Sequence, residues 1–332
     1  MIDLHLHLDG SLSEKDFLFL AKKEGIDLGE QFPSNIYVPM DCPSLEEYLT
    51  RFDLPLLLLQ TKENIEYAFS SLVNRLAKLG LIYAEIRFAP LLHLQKGLTQ
   101  LEVAKVAIKG MEKGLKENPD FEANIILCCM RHASEEMNME TIEVAHKLKG
   151  TKVVAVDLAG AEAMHPSSYY ARTFDKAKAY GLNITIHAGE ATDSEEIMMA
   201  LDNGATRIGH GVHLSLDPKT VARVKENHIC FEFCPTSNLQ TKSLKSYEDV
   251  PLRKFMDNGI IVTLNSDNMT VSNTDVIQET KQMIKTFGLT EKNVKNLCKN
   301  SINFSFSDAN TKNILLQRLE DKFDSYWKLL NK

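Results

Sequence analysis

No apolar run in this 332-residue chain approaches the ~20 residues that a membrane-crossing helix needs, so a helical span is excluded. Clustered Lys and Arg are missing too. The 38 basic residues are scattered and the formal net charge is -7, which argues against a phosphate-binding face and so against nucleic acid as a partner. The six cysteines (Cys42, Cys128, Cys129, Cys230, Cys234 and Cys298) have no zinc-finger spacing, and they read as reduced, buried thiols of a cytoplasmic protein. A strand-like segment starts at Ile2, leaving no room for a signal peptide. Linkers, repeats and low-complexity stretches are also lacking, so residues 1–332 read as one domain with no obligate protein partner. A chain of this length buries a large core without disulfides.

What is present is an alternation of short apolar runs and longer amphipathic stretches. Eight runs read as strands: Ile2–Leu8, Leu81–Phe88, Phe121–Cys129, Lys152–Leu158, Asn183–His187, Thr206–His210, Ile229–Phe233 and Ile260–Asn265. Each precedes a stretch able to form a helix, which predicts an α/β fold with a parallel sheet closed into a (β/α)8 TIM barrel. About seventy residues separate the first two strands, more than one connection needs. Within this insertion (about 36–60), Ser44-Leu45-Glu46-Glu47 reads as a capping box, and Leu45, Tyr48, Leu49 and Phe52 form one apolar helix face. That face either packs on the barrel or covers its mouth, where barrel active sites lie. Residues 313–330 read as a closing amphipathic helix.

The first strand carries the clearest chemistry. Its side chains alternate, so Ile2, Leu4, Leu6 and Leu8 face the helices while Asp3, His5, His7 and Asp9 face inward. Inward polar groups are costly unless they bind something, and two imidazoles at i and i+2 converge as a metal requires. His187, His210 and Asp267 follow the fifth, sixth and eighth strands, at the ends where barrels place catalytic groups. Each alone is ordinary; together with the His pair they suit Zn2+ with a position open for water. Glu190, three residues after His187, is either a helix-start carboxylate or a proton carrier beside the metal.

Seven stretches in order then point to a family. They are His5-Leu6-His7-Leu8-Asp9-Gly10-Ser11, Tyr83-Ala84-Glu85-Ile86-Arg87, Asp157-Leu158-Ala159-Gly160, His187-Ala188-Gly189-Glu190, Ile208-Gly209-His210-Gly211, Cys234-Pro235-Thr236-Ser237-Asn238 and Leu264-Asn265-Ser266-Asp267. From residue 2 to about residue 275 the chain resembles the adenosine deaminase group of the amidohydrolase superfamily. The resemblance implies one zinc ion per subunit held by His5, His7, His187 and Asp267. It implies Glu190 as proton donor to purine N1 and His210 as the partner that orients the attacking water. His7, Asp9, Gly160 and Asn268 are implied as substrate contacts: Asp9 to the ribose 5′-hydroxyl, the Gly160 N–H to purine N3. The Leu45, Tyr48, Leu49 and Phe52 face corresponds to an apolar lid. The implied reaction is hydrolysis of adenosine or 2′-deoxyadenosine, a small purine nucleoside, to inosine or deoxyinosine and ammonia in purine salvage.

One position departs from the family pattern. Asn268 stands where an Asp that donates to purine N7 is usual; an amide donates at any pH, so the contact is expected to survive. Asp9, rather than Glu, favours a nucleoside over a free base. Three alternatives stay open: a deaminase of another 6-aminopurine, a binuclear amidohydrolase, and a metal-free barrel. The second usually needs a Lys ending the fourth strand, and Val156-Asp157-Leu158-Ala159-Gly160 has none. The His/Cys/Cys pattern of nucleic-acid deaminases is absent as well.

Overall fold

All eight expected strands form, each end within two residues of its expected limit. The computed structural model describes residues 1–331, and for Leu45 and Glu46 the backbone alone. The strands are β1 (Ile2–His7), β2 (Tyr83–Phe88), β3 (Glu122–Met130), β4 (Val153–Ala159), β5 (Asn183–Ala188), β6 (Arg207–His210), β7 (Cys230–Phe233) and β8 (Ile261–Leu264). They pair in parallel and in chain order, which makes a (β/α)8 barrel. The β8–β1 seam closes through a bridge between Leu6 and Asp267, with His7 N–H donating to the Asp267 carbonyl at 2.7 Å. Two side chains reinforce it: Asn265 Oδ1 accepts the Leu4 N–H at 3.0 Å, and buried Asp3 accepts from Ser266. Between β4 and β5 the ladder stops after Val156 and Ile184, so the barrel is splayed there at its C-terminal end.

The helices start where local chemistry tells them to. Thr99 and Glu102 form a reciprocal capping box before Gln100–Glu117, Ser134 caps Glu135–Lys147, and Asp217 caps a helix whose first residue is Pro218. The last helix runs over Ala309–Leu330, four residues longer at its start than expected. Residues 309–312 lack apolar periodicity, and the start is set instead by Asp308, which accepts the Thr311 N–H at 3.0 Å. In the long insertion the expected capping box is half formed. Ser44 Oγ accepts the Glu47 N–H at 3.2 Å, while the Glu47 carboxylate pairs with Arg51 one turn on at 2.8 Å. The expected single helix is broken: Leu45, Tyr48 and Leu49 lie on a short helix, Leu45–Leu49, and Phe52 ends a 3-10 turn, Thr50–Phe52, before a second helix, Asp53–Leu58.

Strand alternation divides the barrel wall. Leu4, Leu6, Ile86, Ile184, Ile186, Ile208, Phe231 and Val262 point outward into one apolar core shared with the helices. The lumen is ionic. At its N-terminal end Arg207 lies 2.6 Å from both Glu85 and Glu232, and Arg87 lies 2.8 Å from Glu232 and 3.1 Å from Asp157. The loop after Glu291–Phe304 plugs this end, with the Phe306 ring 3.9 Å from the Arg207 guanidinium.

Candidate active site

The C-terminal end of the lumen gathers the histidines. His7 Nε2 is 3.2 Å from His187 Nε2 and 3.4 Å from Asp267 Oδ1, and His5 Nε2 is 3.6 Å from the same carboxylate oxygen. A tetrahedral ion with bonds of about 2.1 Å holds its ligands about 3.4 Å apart, which matches. The tautomers agree. His5 Nδ1 donates to Glu232 Oε2 at 2.7 Å and His187 Nδ1 donates to Asp157 at 3.0 Å, so Nε2 of each ring is left to face the cluster. His5 Nε2 is fully buried and has no hydrogen-bond partner. The orphaned His5 Nε2, beside two further imidazole nitrogens 3.2 Å apart, makes a buried set of nitrogen donors that a cation would satisfy. His210 also lies near this group, with His5 and Asp267.

Charge supports the same reading. Burial works against a charged Asp267, but His5, His7 and His210 outweigh it and hold its pKa far below the usual carboxylate range. Burial holds His7 neutral by pushing its pKa well down. Glu232 is buried, yet Arg87 and Arg207 keep it ionised, so it stays an acceptor for His5.

Backbone geometry turns these groups into the mouth. His210 (φ +61°) and Asp267 (φ +60°) both occupy the left-handed region, at a cost of about 1–3 kcal/mol each. Such strain concentrates at functional positions. Gly209 makes room for His5 and His187: a Cβ there would lie 2.9 Å from His5 Cε1 and 3.3 Å from His187 Cγ.

A cavity of about 510 Å³ opens above the cluster. Glu190 lines it, with Oε1 accepting from Thr241 Oγ1 at 3.1 Å and Oε2 3.6 Å from His210 Nε2. Burial raises the Glu190 pKa; His210 pulls it down, while the negative charges of Asp267 and Glu162 add to the rise. Asn238 meets His210 Nδ1 at 3.1 Å, which leaves Nε2 toward Glu190. Asp9 and Gly160 also line the cavity, as do Tyr48, Leu49 and Phe52 of the insertion. The Leu45 side chain lies outside the described residues. Asn268 is there too, but one of its amide hydrogens is already given to Tyr48 Oη at 2.9 Å. Tyr48 Oη in turn is 2.8 Å from Ser272 Oγ. A groove of about 600 Å³ at the opposite end of the barrel is lined by residues such as Glu122, Lys152 and Asp308 and by none of the clustered histidines.

Sequence reasoning assigned no role to several members. Asp157 and Glu232 orient the two ligand-like histidines, Asn238 and Thr241 hold His210 and Glu190, and His93 sits 3.4 Å from Asp9. A signal existed for Glu232: it lies between Phe231 and Phe233 in the middle of a strand, an inward polar residue of the same kind that singled out His5.

Fold and site together define a class, the amidohydrolase-type barrel hydrolases, with histidines and a carboxylate gathered at the strand ends. The comparisons go further. The family model described as "Adenosine deaminase" matches residues 1–322. An adenosine deaminase of Haemophilus ducreyi is 43% identical over 332 residues, covering 97% of this chain and 96% of its own. One of Clostridium perfringens is 41% identical over 316 residues, covering 94% and 95%. The crystal structure of an adenine deaminase from Arthrobacter aurescens superposes with a TM-score of 0.86 over 98% of both chains at 25% identity. The chain belongs to the adenosine deaminase family, and it is an enzyme that hydrolyses the C–N bond of a cyclic amidine.

Proposed function

We propose that this chain hydrolyses adenosine and 2′-deoxyadenosine to inosine or deoxyinosine and ammonia, with one Zn2+ per subunit, as a cytoplasmic step of purine salvage. The observation that carries the reading is a largely buried carboxyl, Glu190, lining the cavity that opens above a His/His/His/Asp cluster. His5, His7, His187 and Asp267 would hold the ion. Bound there, zinc lowers the pKa of water from about 15.7 to about 7 and so supplies a nucleophile at neutral pH.

The chain's own residues do the rest. Glu190, whose proton affinity burial raises, donates to purine N1 and makes C6 electrophilic. His210, held at Nδ1 by Asn238, orients the attacking water and stabilises its charge. The tetrahedral carbon then carries OH and NH2, and ammonia leaves after proton transfer. Asp9 accepts from the 5′-hydroxyl, and the Gly160 N–H reaches N3. His7 lies against the substrate as well. Asn268 donates to N7 with the amide hydrogen that Tyr48 does not take. Tyr48, Leu49 and Phe52 exclude water from above.

The test is metal analysis and an ultraviolet assay on one sample, with adenosine, deoxyadenosine, adenine and AMP side by side. We expect one zinc per chain and preference for the two nucleosides. His187→Ala should lose both zinc and turnover. A preference for adenine, or full zinc occupancy in His187→Ala, contradicts the substrate or the ligand assignment respectively.

A further inference from the structure

Of the buried carboxylates that the chemistry above leaves unused, one is hydrogen-bonded to the bend that carries the proposed proton donor. Glu162 is 4% exposed and lies two residues after Gly160 in the loop following β4. Its Oε1 accepts the Thr192 N–H at 2.7 Å, the Thr192 hydroxyl at 3.0 Å and the Ala191 N–H. Those amides immediately follow Glu190. The bend at residues 189–192 has no regular secondary structure, because β5 ends at Ala188 and the next helix begins at Ser194. It starts at Gly189 (φ +66°), where an added Cβ would lie 2.5 Å from Ile197 Cδ1. A carboxylate costs several kcal/mol to bury unless hydrogen bonds compensate it. Here the compensation comes from the backbone that carries the proton donor.

We propose that Glu162 is a positioning residue: it clamps the bend after Glu190 and so sets the spacing between the Glu190 carboxyl and the Gly160 N–H. On the functional reading above, on which this inference rests, those two groups address N1 and N3 of one six-membered ring. Gly160 and Glu162 share a loop, so the clamp ties the two contacts together covalently on one side and by hydrogen bonds on the other. Without it the bend has freedom to carry Glu190 out of line, and misplacement of a reacting group by about 1 Å costs about 100-fold in rate. Glu162 touches no substrate atom in this scheme; it acts through Glu190.

A double-mutant cycle separates this role from simple support of the fold. Glu162→Ala is expected to lower kcat for adenosine about 10- to 100-fold while KM changes less than about threefold, with zinc content unchanged. Glu162→Gln keeps an oxygen for the two amides and should recover most of the loss. In a Glu190→Gln background, Glu162→Ala should cause no further fall, because the group it positions is gone. Should Glu162→Ala fail to fold, Glu162→Asp withdraws the carboxylate by one methylene and carries the same cycle with a smaller drop. Parent-like kcat in Glu162→Ala, full additivity with Glu190→Gln, or no recovery in Glu162→Gln overturns the clamp. An inactive parent overturns the functional reading and the clamp with it.

Discussion

The two ends of the barrel lumen are lined by the same kinds of residue and use them in opposite ways. At the N-terminal end, every carboxylate oxygen is met: both oxygens of Glu85 and both of Glu232 have partners among Arg207, Arg87, His5, Tyr83, Thr185 and Phe306, and of the two guanidinium groups only Arg87 Nε is left over. At the C-terminal end, polar atoms are left over. His5 Nε2, Asp9 Oδ1, Glu162 Oε2 and Asn268 Oδ1 are buried without hydrogen-bond partners, and His210 and Asp267 are strained. The difference separates stability from function within one channel. A closed ionic set holds its own shape, whereas a set with unmet valence is held in readiness by its surroundings.

Three substitutions break or sharpen that contrast, taken from the largest expected effect downward. Glu190→Gln, at the open end, should lower kcat by about 10²–10⁴-fold with zinc retained, read by steady-state assay and metal analysis. The pH profile gives the sign. The acid must be protonated to act, and its pKa is raised first by burial, so kcat/KM should fall as pH rises through that raised value. The alkaline fall should vanish from the residual activity of Glu190→Gln.

Glu85→Gln, at the closed end, strips Arg207 of one carboxylate 2.6 Å away. Unfolding free energy should drop by about 3–5 kcal/mol in a denaturant titration, because a buried charge is left short of its partner. Folded Glu85→Gln should keep its zinc and a kcat within about threefold of the parent; if it instead loses zinc, the two ends are not separable in the way described.

Tyr48→Phe, between mouth and insertion, deletes the hydroxyl that joins Asn268 to Ser272. A single hydrogen bond is worth about 1 kcal/mol, so KM should rise about fivefold with little change in kcat. An unchanged KM would show that Asn268 is positioned without Tyr48.

Eight strands and their order of appearance were legible because buried barrel strands read as short apolar runs between longer amphipathic stretches, and the inward face of β1 because its polar residues recur with a period of two. His5 and His7 were legible as an inward i, i+2 pair on β1, and His187, Glu190, His210 and Asp267 because each ends or follows an expected strand. The last helix was misjudged at its start because Asp308, not apolar spacing, sets it. The capping box at Ser44 was half right, since Arg51 competes for the Glu47 carboxylate.

Residue order alone thus dictated the alternating β/α units, the side of each strand that turns inward and the groups able to ligate a cation, since these follow from local periodicity and side-chain chemistry. Tertiary packing decided everything that depends on residues far apart in the chain. It chose which ring nitrogen of His5 and His187 faces the cluster, through Glu232 and Asp157. It set the proton affinity of Glu190 through burial and neighbouring charge, and tied Asn268 to Tyr48 across 220 residues. Tautomer, pKa and amide orientation are properties of an environment, and that environment exists only once the barrel has closed.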